Sequence, residues 1–221
     1  MKLISMIKNT LRKFVNATLT RPLQFSSDKE SLAVEKLKKT FNKIPFNEID
    51  TDSQNQASWN RNFNELKSLV EHDEIRRFLQ WDVVRKTMFV TNPWYIRKEL
   101  RYLRRSSRWE QIKDAIEESP IGKPTISIYY PKSSGNLIHQ AYHIARFEEQ
   151  MNKNISELNQ IIEFGGGYGC MCRYIFRRGF TGNYIIFDLP GFSAIQKYYL
   201  KSNHLPVKSS ADNVFTGKGI M

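Results

Sequence analysis

The chain has 221 residues, 40% of them hydrophobic and 13% aromatic; that is enough apolar material for a packed core, and it excludes wholesale disorder. Lys and Arg outnumber Asp and Glu by 34 to 22, a formal charge of +12. The excess is spread along the chain, so an anionic partner is in play but a basic tail is not. Two cysteines, Cys170 and Cys172, exclude a disulfide framework and point to a reducing compartment. No apolar run approaches the ~20 residues of a bilayer span, and Lys8 and Arg12-Lys13 interrupt the start before a signal peptide could form. The expectation is a cytoplasmic protein without a transmembrane segment.

The first half reads as helical. Leu3, Ile4, Ile7, Leu11, Phe14 and Val15 share one face of a basic amphipathic segment, read as a helix docking on the rest of the protein or on a partner subunit rather than on a membrane surface. A second helical stretch covers 31–44 with Ser31 as its cap, and a polar loop follows from Glu48 to Gln56. Helical spacing resumes through Trp59, Phe63, Leu66 and Leu69, and again through Ile75, Phe78, Leu79, Val83 and Val84. Pro93 opens a further helix running towards Ile116. Residues 1–118 thus form a mainly helical region.

Residues 119–152 are a connector. Pro120 to Pro131 mixes Gly and Pro with alternating β-formers, which predicts a short strand, and 136–152 is again helical. From residue 153 the character changes. Asn159 to Phe164 is a short strand entering a glycine cluster, Cys172 to Arg178 a helix, Tyr184 to Phe187 a second strand, and Phe192 to Asn203 a helix. Strand, helix, strand, helix predicts a parallel α/β sheet.

The segment Glu163-Phe164-Gly165-Gly166-Gly167-Tyr168-Gly169 carries the chemistry. Glycines let the backbone turn sharply and approach a ligand closely, and a strand-to-helix loop lies at the carboxyl end of the sheet, where doubly wound folds bind nucleotides. No Gly-Lys-Ser/Thr follows, which excludes a P-loop. The dinucleotide pattern Gly-x-Gly-x-x-Gly fails, because counting from Gly165 its third glycine falls on Cys170. Glu163 would also repel a pyrophosphate, whereas it suits a ligand bearing an ammonium and a sulfonium, such as S-adenosylmethionine. Asp188 ends the second strand, where a carboxylate can accept the ribose hydroxyls of an adenosine; alone, it would read as a turn cap before Pro190.

These residues resemble a known family. Ile161 to Gly169 is similar to motif I of the class I S-adenosylmethionine-dependent methyltransferases, acid-x-Gly-x-Gly-x-Gly, and Ile185 to Pro190 resembles the Phe-Asp-Leu-Pro run of small-molecule O-methyltransferases. With Gln196-Lys197-Tyr198-Tyr199-Leu200, the combination looks like the sugar O-methyltransferases of bacterial polysaccharide gene clusters. The resemblance covers about Asn136 to Asn203 and is specific from Ile161 to Leu200. It implies a helical N-terminal region followed by the first half of a Rossmann-like, doubly wound methyltransferase sheet spanning 153–221, with S-adenosyl-L-methionine as cofactor and a small-molecule or saccharide hydroxyl as acceptor. By the same resemblance Glu163, Gly165, Gly166, Gly167 and Gly169 hold the methionine end, Asp188 the ribose and Leu189 the adenine; Asp212, in Ala211 to Phe215, is a candidate for the adenine amino group, with a surface-loop acid as the alternative.

A complete sheet of this class has about 6 or 7 strands, so the expectation is the front part of a longer enzyme or an inactive remnant. No catalytic base is assigned. His139 and His143, four apart on one predicted helix, are candidates for packing near the pocket or for proton transfer, without a third partner for a metal. Cys170 and Cys172 read as small packed residues without a redox role. A competing reading is a binding or scaffold protein for nucleic acid or an acidic polysaccharide. Arg97, Lys98, Arg101, Arg104, Arg105 and Arg108 interleave with Trp94, Tyr95, Tyr102 and Trp109, although a solvated basic face is the ordinary outcome of such a run. A homodimer is a further candidate assembly.

Overall fold

The computed structural model describes residues 28–44, 54–72, 74–90 and 92–208. The predicted amphipathic segment at 3–15 and Asp212 lie outside them. Helices α1 (Asp28–Lys43) and α2 (Gln54–His72) lead into a 3-10 segment (Ile75–Gln80), then α3 (Asp82–Met88), α4 (Pro93–Arg105) and α5 (Trp109–Ala115). A hairpin of β1 (Ile126–Ser127) and β2 (Tyr130–Ser134) precedes α6 (Gly135–Met151). A second 3-10 turn (Ile155–Glu157) is followed by β3 (Gln160–Phe164), α7 (Cys170–Arg177), β4 (Asn183–Phe187) and α8 (Pro190–Ser202). The chain is thus mixed helix and small sheets, compatible with the α/β class.

Where the helices start and stop follows local chemistry. α1 begins at Asp28, so Ser31 sits inside the helix instead of capping it, and α2 already runs at Gln54, within the expected loop. The periodic stretch from Ile75 to Val84 is not one helix. The Leu79 amide donates to the Gly122 carbonyl (3.0 Å) outside the ladder, and Trp81 is extended (φ −63°, ψ 137°). The helix expected from Pro93 to Ile116 also breaks. Ser106 is extended and its Oγ accepts the Arg108 amide (3.2 Å), a serine turn that competes with the helix. Arg108 therefore lies beyond the end of α4. At the start of that helix Asn92 caps the Trp94 amide (3.0 Å) with Pro93 in the first turn. Ser134 caps the Leu137 amide of α6 (3.1 Å), and Asn152 closes that helix in the left-handed region (φ 48°).

One hydrophobic core runs from Leu37 and Phe41 of α1, through Leu66, Phe78, Leu103 and Ile138, to Tyr199 and Leu200 of α8. The N-terminal helices therefore share an interior with the strand–helix units. α4 packs on α6, and α1 packs on α8. Gly191, in the first turn of α8, lets the helix close on α2: a Cβ there would stand 2.6 Å from the Phe63 ring.

Two ion clusters built on buried acids hold α7 and the residue that follows it. Glu148, 1% exposed on α6, accepts the Ile155 amide (2.8 Å) and pairs with Arg178 (3.2 Å) and Arg108 (3.1 Å). Arg173 of α7 pairs with buried Glu118 (3.4 Å) and donates to the Glu117 carbonyl (2.7 Å). Buried charges persist only when paired and hydrogen-bonded, so these contacts specify where the helix sits.

β3 and β4 pair in parallel, in register from Gln160↔Asn183 to Phe164↔Phe187. Among the described residues this sheet has two strands. Side chains alternate along it. Ile161, Glu163 and Tyr184 turn to the side that holds the core, whereas Ile162, Phe164 and Phe187 point outward and stay exposed, the two Phe rings stacked at 5.4 Å. No helix among the described residues is long and apolar enough to cross a membrane.

Candidate functional site

The glycine loop joins β3 to α7 at the carboxyl ends of both parallel strands. The Gly165 amide donates to the Phe187 carbonyl (2.9 Å), extending the ladder by one residue before the chain bends. Gly165, Gly167 and Gly169 take φ of 72°, 58° and 89°, the left-handed region where a side chain is strained. Gly166 is required for space instead: a Cβ would stand 2.7 Å from Ile186 and 3.2 Å from Glu163 Oε2. No described residue comes within 4 Å of a Cβ built on Gly165, so the mouth of the bend is open among the described residues; at Gly167 the neighbour is Met88, at 3.6 Å.

Tyr168, between these glycines, is the anchor. It is buried, stacks on Phe89 (5.7 Å), meets Phe78 and Tyr199 edge-on, and its hydroxyl accepts from Asn136 Nδ2 of α6 (3.2 Å). The loop is thus held by a ring driven into the core.

The two acids occupy different places. Asp188, half-buried after β4, accepts the Leu189 amide on Oδ1 (2.8 Å) and the Gln196 amide on Oδ2 (2.6 Å). Gln196 Nε2 also donates to the Gly167 carbonyl (3.0 Å), bridging the carboxylate to the loop. Burial raises the Asp188 pKa above its ordinary value, and bonds from Leu189, Gln196 and the Gly167 backbone oppose this. Glu163 turns beneath the loop, where Oε2 accepts the Tyr184 hydroxyl (2.8 Å). Its pKa is raised by burial, against the Tyr184 bond, and raised further by the charge of Asp188. The Asp188 charge reaches Glu163 across the loop, so a cation placed there is favoured and an anion disfavoured. Leu189 is exposed beside Asp188.

No family model, curated protein or solved structure matches this chain. The chemistry of the site therefore rests on its own residues.

Among the described residues, His139 and His143 bond to Glu99 and to each other and not to the glycine loop. His139 Nδ1 lies 2.7 Å from Glu99 of α4, and its Nε2 is 3.0 Å from Nε2 of His143. Desolvation, then the neighbouring His139, lowers the His143 pKa. Cys170 and Cys172 are buried thiols. Burial pushes Cys170 up to about 12 and Cys172 well above its ordinary value, which favours the thiol over the thiolate in both.

The sequence placed Gln196, Tyr168 and Tyr184 in motifs or a strand without giving them a contact at the site, and gave Met88 no role. For Gln196 a signal exists, since a polar side chain two turns into a helix that follows the acid can fold back to it. For Met88 there is none, because its contact arises only from tertiary packing.

Proposed function

We propose that this chain binds S-adenosyl-L-methionine and is an O-methyltransferase of the Rossmann-like class, acting on a hydroxyl of a sugar or polysaccharide precursor. The observation that carries the reading is the tie from Asp188 through Gln196 to Gly167. It sets a desolvated carboxylate at the end of one parallel strand against an open glycine bend at the end of its neighbour. A carboxylate has about four acceptor sites, so Asp188 has capacity left for a ribose hydroxyl. Two carboxyls beside the loop, Glu163 and Asp188, favour a cationic ligand over a pyrophosphate when ionised, which agrees with the failed dinucleotide spacing.

When bound, the cofactor supplies an electrophilic methyl on a sulfonium. The protein's part is to bind and orient: the glycine main chain approaches the amino-acid moiety, Asp188 accepts from the ribose, and exposed Leu189 covers one face of the base. Positioning supplies much of the acceleration in such a displacement. Titration with S-adenosylmethionine and, separately, NAD tests the reading; it expects binding of the first and not the second, and the reverse result defeats it.

A second reading draws on α4. Arg97, Lys98, Arg101, Arg104 and Arg105 are exposed along it, with Trp94 and Tyr95 exposed by 67% and 57% at its start. Arg108 is withdrawn from this face by its pairing with Glu148. An acidic polymer on this face would dissociate steeply with rising salt; salt-independent binding, or none, eliminates this alternative.

A further inference from the structure

The histidine pair on α6 stands outside the cofactor reading. His139 and His143 are one turn apart, about 6 Å along the helix axis, yet their Nε2 atoms approach to 3.0 Å while the ring centres stay 4.4 Å apart. The nitrogens are therefore turned toward each other. Two metal–imidazole bonds of about 2.0–2.1 Å meeting at a right angle span about 2.9 Å between nitrogens, and meeting at a tetrahedral angle about 3.4 Å. The observed separation is that of an imidazole–imidazole hydrogen bond, and it also meets the right-angle case with little movement of either ring.

Behind the pair stands Glu99, 8% exposed on α4. Its Oε1 holds His139 Nδ1 at 2.7 Å, and its Oε2 is buried without a hydrogen-bond partner among the described residues. A carboxylate on the far nitrogen of a histidine is the usual support of a metal ligand: it fixes the tautomer, leaves the Nε2 lone pair outward and raises its basicity. His143 is on the surface, so the remaining coordination positions are open to water or to an oxygen ligand.

We propose that His139 Nε2 and His143 Nε2 form a divalent transition-metal site, with Glu99 as the positioning residue behind His139. Right-angle nitrogen donors with open positions suit tetragonal Cu2+ first, and the general affinity order places Ni2+ and Zn2+ below it. With Nδ1–H of His139 directed at Glu99, His139 Nε2 is left to accept Nε2–H from His143 in the metal-free pair. On binding, the His143 Nε2 proton moves through solvent to its own Nδ1, so both Nε2 lone pairs face the metal and that proton is retained. No group of three or more His, Cys, Asp or Glu side chains among the described residues converges on a metal position, so the described residues contribute two ligands.

The test is titration of the full-length chain with Cu2+ in a non-coordinating buffer, followed by electron paramagnetic resonance. One equivalent should bind with splitting from two nitrogens. His143→Ala, a surface change, should weaken binding at least tenfold and remove the two-nitrogen pattern. Glu99→Gln should weaken it about 10- to 100-fold while the two-nitrogen pattern survives. A His72→Ala/His204→Ala double variant should leave the signal unchanged. The site is refuted if Cu2+ does not bind, if His143→Ala leaves the signal intact, or if the His72/His204 variant abolishes it. None of these outcomes depends on the cofactor reading, which S-adenosylmethionine titration tests separately.

Discussion

Replacing Asp188 by alanine isolates the contact on which the cofactor reading depends. The substitution removes the acceptor for the Leu189 amide at 2.8 Å and for Gln196 at 2.6 Å. The folded state tolerates both losses: Leu189 is exposed, so its amide can turn to water, and Gln196 keeps the Gly167 carbonyl at 3.0 Å. The expected cost to folding is about 1 kcal/mol, near one ordinary hydrogen bond. The ligand loses a charge-assisted bond of about 1.5–3 kcal/mol, which is about a 10- to 150-fold rise in Kd. Calorimetric titration of both proteins with S-adenosylmethionine measures the difference, and thermal unfolding without ligand controls for the fold. Unchanged affinity in a variant that remains folded would remove Asp188 from the site and the nucleoside reading with it.

Further outcomes follow from other contacts. Gly167→Val puts a β-branched residue at φ 58° against Met88; it should cost about 1–2 kcal/mol of stability and abolish S-adenosylmethionine binding, read by the same titration. Affinity for that cation should be full above the raised pKa values of Glu163 and Asp188 and be lost as pH falls through them, beginning above the ordinary carboxylate range. In the ligand-free protein the same two groups act with the opposite sign: the folded state holds their protons more tightly than the unfolded one, so their contribution to stability rises as pH falls. Titrations and melting curves across pH 4 to 7 on the order of unit steps would separate the two trends. Glu148→Ala strands Arg178 and Arg108 beside a buried site and should destabilise by about 3–5 kcal/mol in denaturant unfolding. Gly191→Leu drives a side chain into Phe63 and should cost about 1–3 kcal/mol in the same assay.

The strand–helix units were readable because their signals are local and agree with one another. Gln160 to Phe164 and Asn183 to Phe187 are apolar runs bounded by glycines and turns, and α7 and α8 begin within two residues of the expected places. The open bend at Gly165 and the turn of Asp188 toward the loop were legible as glycine spacing and an acid at a strand end. The breaks at Trp81 and Ser106 were not, because helical periodicity continues through both. What interrupts the first is a carbonyl from Gly122, distant in sequence, and the second is a serine turn that hydrophobic spacing does not register. Glu163 could be placed near the loop but not beneath it, since that depends on the Tyr184 hydroxyl one strand away. The Glu99 contact to His139 was equally invisible: it joins α4 to α6, and neither segment alone announces the other.

The outward stack of Phe164 on Phe187 has a practical side. These rings are 80% and 54% exposed, with Ile162 beside them at 52%, so they add little to folding while offering water a continuous greasy stripe next to strands that other chains can pair with. Handling at high concentration should be governed by this stripe rather than by the protein's melting behaviour. A lysine at position 164 should leave unfolding almost unaltered, yet keep preparations clear that would otherwise turn cloudy.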